Sequence, residues 1–542
     1  MRPEIRQSAI LRLVLAALIP LLFLSGCARE RPVDAARQAG ILLLGNGPEP
    51  QALDPHVTTG TSALSIQMAL YEGLVAPHPE TLEPLPAVAE AWSRSEDGLR
   101  YRFHLRPTAR WSDGQPVRAE DFVAAWRRAL DPERAMPYAY MLYVLRGAEA
   151  WHREGPGKPS GLGVSAPEPS LLEVELEHPV PHFLSLLLHP SWFPVPSHIL
   201  EAEGADRERV GPWTRVDGFV GNGPFVLETW RPNEFIVVGA NPHYWDASSV
   251  GLNGIRFHAI DEPGAEERAF MAGQLHVTDA LPPARVAAWQ QKQSPALRID
   301  PYLGTYYILP NVREGVLADP RVRKALSLSI DRRALTGSLL RAGQEPAAGF
   351  VPPAMPGYAN PGMLIHDPDR ARDLLAEAGF PGGEGFPELE YLFNSSESHR
   401  QIGEALQAMW RKELGIGVTL VNQEWRTYLQ RRASGDFDLA RAVWIGDYVE
   451  PSTFLDLWVT GGGNNWAGWS DEAYDRYIRM ARRSADPKER LQAYTEAEKV
   501  LLAEQAIIPL YHYVTAYLKD PALKGWSANL LDWHPYKFLS FE

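Results

Sequence analysis

Apolar positions along this chain switch repeatedly between a period of two and a period near 3.6, and the switches mark its elements. Ile41 to Leu44 is a short apolar run turned by Gly45-Asn46-Gly47-Pro48, which predicts a strand. Leu53-Asp54-Pro55-His56 then opens a turn into an amphipathic helix over Ala63 to Tyr71, ended by Gly73. Tyr101 to Leu105 alternates strictly, as a half-buried strand does. The tight turn Trp111-Ser112-Asp113-Gly114 precedes a helix from Ala119 to Leu130, stopped by Asp131-Pro132. Residues 153 to 169 are rich in Gly and Pro and are expected as a surface loop, and Gly221-Asn222-Gly223-Pro224-Phe225 reopens strand-like sequence. Asp319-Pro320 and Asp367-Pro368 each start a helix, the second ended by Gly379. Ser470 is placed to cap a pair of helices reaching Glu504, with Asp471 and Glu472 in the first turn. Between them Phe437 to Ile445 reads as a buried strand that carries charge, broken by Gly446 and kept from resuming by Pro451. Strand, turn and helix signals alternate without an internal repeat, so the class is α/β or mixed α+β.

The N-terminus follows different rules. Arg2, Arg6 and Arg12 precede an apolar run from Leu13 to Leu24 that Pro20 breaks, too short for the ~20 residues of a membrane span, so residues 1–26 read as a signal peptide. Leu24-Ser25-Gly26-Cys27 resembles a bacterial lipobox, and Cys27 is the only cysteine of the chain. A lipidated Cys27 at the head of a tether over 27–40 would hold the protein at a membrane surface, and no internal disulfide or cysteine-rich metal site can form. Cleavage would remove three arginines and one glutamate, taking the formal charge from -14 to -16.

Composition narrows the function. At 542 residues, 45% hydrophobic and 22% charged, the chain is globular and large enough for two or three lobes. A net charge of -14 without any Lys/Arg run argues against a nucleic-acid partner. The sequence has no GxSxG, HExxH or Walker loop, and Gly45-Asn46-Gly47 before Pro48 cannot open a dinucleotide-binding helix. No metal or cofactor is expected. The carboxylate pairs Asp447 with Glu450, or Asp447 with Asp456, leave a hydrolase with Trp444 and Trp458 as sugar platforms open. Asp447 poses the sharper question, because a carboxylate at the lip of a buried aromatic strand is costly unless a protein Arg or Lys, or a ligand, meets it.

The segments LDPH (53–56), FHLR (103–106), WSDGQPV (111–117), EDFVAAW (120–126), DPYLGTYY (300–307), DPRVRKALSLSIDR (319–332), LLAEAGF (374–380), VNQEW (421–425) and FDLARAVWIGDYVEPSTFL (437–455) occur in order along the chain. Together they resemble the oligopeptide-binding proteins of bacterial ABC importers, solute-binding family 5. The resemblance implies a three-lobed type II periplasmic-binding-protein (Venus flytrap) α/β fold. Lobe I would comprise 41–73, 198–303 and 514–542, the inserted lobe II 74–197, and lobe III 304–513.

It also implies a site. Asp447 matches the family's acceptor of the peptide α-ammonium group, and the backbone of Val443 and Ile445 would pair with the extended peptide, indifferent to its side chains. Trp425, Trp444, Tyr138 and Tyr302 match cleft-lining aromatics, and His399, Arg432 and Arg441 match basic groups that meet the peptide carboxylate at successive depths. Two departures stand out. The family's further lysine falls at Leu340, beside Arg341, and the disulfide that well-known members carry falls at Gly304 and Ile445. The expected protein is a monomeric, lipid-anchored receptor of the cell envelope that captures short peptides and passes them to an ABC permease. Another solute on the same fold, such as a murein peptide, a nickel chelate or a sugar, is the alternative within the class. From the residues alone, Arg441 could instead be a buried partner of Asp438 or Glu450, His399 a turn residue, and Trp425 and Trp444 core.

Overall fold

A computed structural model describes residues 30–58, 60–155, 161–203, 212–484 and 486–542. The signal run and Cys27 lie outside them. No helix among the described residues is long and apolar enough to cross a membrane.

Three sheets organise the chain. The first runs in the order Ile41–Gly45, Gly254–His258, Phe235–Ala240, Phe225–Arg231, with Ile41–Gly45 parallel to its neighbour and the rest antiparallel. The second, formed by residues between those strands, is the antiparallel sheet Ala89–Arg94, Arg100–Leu105, Leu171–Glu175, Val164–Glu168. It is covered by the helix Ala119–Ala129. The third has six strands in the order Glu345–Pro346, Ile508–Leu518, Leu297–Pro310, Leu439–Ile445, Leu389–Asn394, Val418–Gln423.

Two long strands link the first sheet to the third. Leu297–Pro310 and Ile508–Leu518 pair antiparallel over most of their length. At their far end Val277 bridges both Leu44 and Lys519 and so joins the first sheet to them. The ladder between the long strands slips between Pro301 and Thr305, where four steps on one strand face two on the other, from Val514 to His512. A buried ion pair fixes the second sheet to the first: Arg128 reaches Asp54 at 2.5 Å and contacts His56, whose Nε2 meets the Phe193 carbonyl at 3.0 Å. Both charged side chains are almost wholly excluded from solvent.

Most local signals place elements within a residue or two of expectation. Asp319 and Asp367 accept the backbone N–H groups of Arg321 and Arg370, and Pro320 and Pro368 fill the first helical positions. Three readings need correction. The stretch 153–169 is not all loop, because Val164–Glu168 is an edge strand on which Pro167 is tolerated. Ser470 is not the helix cap; Asp471 accepts the Tyr474 N–H, and the Ser470 hydroxyl is bonded to that of Thr460. The expected tether contains the helix Pro32–Gln38, whose Val33 is buried and whose Arg37 pairs with Asp520 at 2.5 Å.

Candidate functional site

The strand Leu439–Ile445 is central in the third sheet for only part of its length. On one side it pairs with Leu297–Pro310 throughout; on the other it meets Leu389–Asn394 at Leu439 and Ala440 alone. Beyond them no strand among the described residues pairs with that second edge; the Tyr428 hydroxyl donates to the Arg441 carbonyl, and the edge past it is open. The Gly446 N–H donates to the Leu303 carbonyl at 2.7 Å, and antiparallel ladders alternate, so Trp444 and Ala442 spend their backbone groups on the neighbouring strand. Val443 and Ile445 therefore point theirs at the open edge.

Opposite charges stand at the two ends of this edge. At the Asp447 end, the backbone N–H is held by the Thr453 hydroxyl at 3.0 Å, which fixes the turn, but no Arg, Lys or His among the described residues reaches the carboxylate. Burial alone pushes it up to about 7. Tyr138 and Tyr140, from the turn 138–144, come close enough to Asp447 that its charge helps hold both phenols above their ordinary range. Tyr140 escaped the sequence reading; the Tyr138-Ala139-Tyr140 spacing was its only signal.

Arg441 is 6% exposed and has no carboxylate partner among the described residues. Asp438 instead accepts the Glu390 N–H at 2.8 Å, and Glu450 pairs with Arg490 at 3.1 Å. Arg441 Nε donates to Asn394 at 2.8 Å and Nη2 to His399 Nε2 at 2.9 Å, while Nη1 is buried without a partner. His399 sits in the first turn of the helix Glu397–Leu414. Burial and the Arg441 charge push it down to about 4, so it is neutral, and its Nδ1–H faces the Tyr306 hydroxyl at 3.4 Å. The guanidinium lies within 6 Å of the Tyr306, Trp425 and Tyr428 rings. Trp425 is 49% exposed and stacks on Tyr428, so it is not core. Trp444 is half-buried, its Nε1 unpartnered. Farther out, Arg432 donates to the Tyr428 hydroxyl at 3.2 Å and lies 3.9 Å over the Trp466 ring.

A cavity of about 340 Å³ opens between the first and third sheets and the segments that carry Tyr138 and His189. It brings together Asp447, Ile445, Tyr138 and Tyr302 from the sequence-predicted set; His399, Arg432, Arg441 and Trp425 lie outside its lining, toward the other end of the strand. Leu340 ends a π-helical segment and packs on the core of the third sheet, and Arg341 beside it is exposed in a left-handed conformation. Gly304 and Ile445 face each other directly in the ladder, and a Cβ on Gly304 would lie 2.4 Å from Ile445 Cδ1. The isoleucine side chain thus fills the place of the absent bridge. Glu450 and Asp456 are both held in ion pairs, with Arg490 and Arg482, and neither lines the cavity that Asp447 faces.

Comparison with known proteins gives a concordant picture. Residues 83–466 match the model of the bacterial extracellular solute-binding proteins, family 5 Middle. The chain is 35% identical over 532 residues to the periplasmic oligopeptide-binding protein OppA of Salmonella typhimurium, covering 95% of this chain and 96% of that one. It is 36% identical to the periplasmic murein peptide-binding protein MppA of Escherichia coli, with 89% of each covered. Among solved structures, the Haemophilus influenzae OppA complex with the peptide RPPGFSPFR superposes with a TM-score of 0.78 at 33% identity, covering 93% of this chain and 99% of that one. The α/β architecture is the type II periplasmic-binding-protein fold that these relatives share. The chain belongs to family 5 of the bacterial extracellular solute-binding proteins.

Proposed function

We propose that this protein is an extracytoplasmic receptor that captures short peptides between its lobes and delivers them to an ABC permease, without chemical change. The observation that carries the reading is the pair of unmet charges on one strand. Among the described residues no cation meets Asp447 and no carboxylate meets Arg441, and between them the Val443 and Ile445 backbone groups face an open edge. The two lie six positions apart, so a peptide paired antiparallel to the strand would carry its ammonium toward Asp447 and its carboxylate toward Arg441. The peptide ammonium would meet Asp447 beside Tyr138 and Tyr140. Its carboxylate would meet Arg441, with His399 as an uncharged neighbour, or Arg432 when the peptide is longer. Trp425, Trp444 and Tyr302 would line the path.

The expected lobes fit this use. The ladder slip between Pro301 and Thr305, with its counterpart at 512–514, falls at the boundaries 303/304 and 513/514 and supplies backbone that can bend without breaking paired strands. Relatives named for oligopeptide, murein peptide and dipeptide binding support a peptide as the solute. Protein purified without refolding, denatured and read by mass spectrometry, should release intact peptides, and calorimetry of the stripped protein should return one site for a tripeptide. Absence of peptide together with no heat from any tripeptide would overturn the reading; cleaved peptide would favour a hydrolase. Anchoring through Cys27 is tested separately: Cys27→Ser should free the protein from the membrane fraction or leave an uncut precursor, and unchanged membrane association with normal processing would reject it.

A further inference from the structure

Two parts of the fold that are free to move apart touch beside Asp447. The second sheet is fixed to the first by the buried Arg128–Asp54 ion pair. The third sheet is joined to the first through the two long strands whose ladder slips between Pro301 and Thr305. Bending at the slip would swing the third sheet against the second, so a contact between those two is made or broken in that motion. One such contact is a pair of rings. His182, at the start of the short helix Phe183–Leu186, is stacked on Tyr448, with centroids 5.1 Å apart and planes 10° from parallel.

Each ring is held firmly from its own side. Phe183, next to His182, is fully buried, its ring centroid 4.9 Å from that of Tyr101 in the second sheet and 5.7 Å from that of Trp192. Tyr448 follows Asp447 directly, and its hydroxyl lies 3.2 Å from Ser452 Oγ in the turn that Thr453 closes on the Asp447 N–H. The stack does not depend on a hydrogen bond, because His182 Nδ1 is sealed from solvent without a partner among the described residues. Two carboxylates face the ring from the third-sheet side, Glu450 and Asp456, and both are already paired, with Arg490 and Arg482. Arg490 and His178 oppose a charge on the ring. Burial is the largest influence and pushes His182 below its ordinary value, so the ring is neutral in the stack.

We infer that His182 is a positioning residue for ligand capture: its ring seats on Tyr448 when the third sheet closes against the second, and so holds the turn that aims Asp447 into the cavity. The inference rests on the peptide-receptor reading, since closure on a ligand is what brings the two rings together. In the open protein the imidazole meets water and titrates near the ordinary value of about 6.5. Closing then expels its proton. The closed form draws its full advantage from this seat above that pH and loses it as pH falls, in addition to what Asp447 contributes.

Calorimetry of the stripped protein with Ala-Ala-Ala separates this role from a purely structural contact. At pH 7.5 His182→Ala should weaken binding about tenfold, the loss expected for one buried ring pair, while the denaturant midpoint of the empty protein stays at the wild-type value. His182→Phe keeps a flat ring that cannot titrate and should restore wild-type affinity at that pH. At pH 5.5 His182→Phe should bind several-fold tighter than wild type, since the dependence supplied by Asp447 is common to both and cancels in the ratio. Four results overturn the inference and leave the receptor reading standing: unaltered binding by His182→Ala, no rescue by His182→Phe, equal affinity of wild type and His182→Phe at pH 5.5, or an empty-protein midpoint that falls in step with binding. Failure of the wild-type protein to bind any tripeptide overturns both.

Discussion

Asp447 and Glu450 lie three residues apart in one turn and are treated in opposite ways by the fold. Glu450 is 5% exposed, paired with Arg490 at 3.1 Å and bonded to the Ser452 N–H at 2.8 Å. Asp447 receives no cation from the described residues and faces the cavity. A buried carboxylate with a full set of partners is a structural joint, and one held rigidly without them is a charge kept available for something that comes and goes. The contrast separates the two roles without knowledge of the ligand, and it can be broken by experiment at either residue.

The largest effect is expected at Asp447. Asp447→Asn keeps the shape and deletes the charge, so a bound peptide ammonium would be buried unpaired. Breaking such a pair costs roughly 3 to 5 kcal/mol, a loss in affinity on the order of a hundredfold to several thousandfold. N-acetylation of the peptide should cost wild type a similar amount and the variant little. The dissociation constant of one tripeptide, free and acetylated, against both proteins measures this. Normal binding by Asp447→Asn would make Asp447 a bystander.

Glu450→Gln should show the reverse pattern. It leaves Arg490 buried beside a neutral amide, and about 3 kcal/mol of folding stability should go with it. Arg490 already has one buried nitrogen without a partner among the described residues, and losing the carboxylate would add to that cost. Denaturant unfolding of both apo variants checks the pair: Glu450→Gln should lower the midpoint, whereas Asp447→Asn should leave it equal or raise it. If the two exchanged behaviours, the assignment of joint and reserved charge would be inverted.

The sequence carried much of this, for identifiable reasons. Helix starts such as Asp319-Pro320 are local events, with the cap and the fixed φ within two residues, and they are legible without the fold. The strand with its charged end was legible too, since an apolar aromatic run is short-range information. The second edge of that strand was not, because whether Leu389–Asn394 covers two residues or seven depends on a pairing some 50 positions away. The same holds for the cavity. Asp279 follows the bridge at Val277 and precedes Pro282-Pro283, a plain loop position, and only the meeting of loops from 45–47, 279 and 532 makes it a wall. Asp471 displaced Ser470 as a cap because a one-residue shift is below what capping preference can resolve.

pH should move the two properties of Asp447 in opposite directions. In the unfolded chain an aspartate titrates near 3.9, while in the empty cavity burial raises this one to about 7. Between those values the native apo protein holds a proton that the unfolded chain has released. Its contribution to stability is therefore full at low pH and is lost as pH rises through 7. Glu266, Asp279 and Glu498, raised to about 8, 6 and 7, follow the same sign, so the diagnostic quantity is the difference between wild type and Asp447→Asn. Affinity runs the other way, because the ammonium selects the ionised carboxylate. It should fall about tenfold per unit below pH 7 and fall again above about 8 as the peptide amine loses its own proton. A tripeptide affinity flat from pH 5 to 7 in wild type would reject the raised carboxyl as the amine's partner.

The smallest expected effect lies one step back along the same strand and is free of charge. Gly304 and Ile445 are directly opposed, and a Cβ on Gly304 would meet Ile445 Cδ1 at 2.4 Å. That atom is the end of a side chain that can rotate, so Gly304→Ala should cost on the order of 1 kcal/mol, the low end for overpacking. Ile445→Val removes the contacted carbon and should return most of the loss, giving a coupling that two independent sites would not show. The pair also bears on how Asp447 is aimed. Ile445 lies two residues before the carboxylate and closes the ladder that the Gly446 N–H ends on Leu303, so a strand end pushed off Gly304 would tilt the turn that carries the charge. Unfolding and tripeptide binding should then fall together in Gly304→Ala and recover together in the double variant. Stability that falls while affinity stays at the wild-type value would mean that Thr453, which holds the Asp447 N–H at 3.0 Å, fixes the carboxylate without help from the packing behind it.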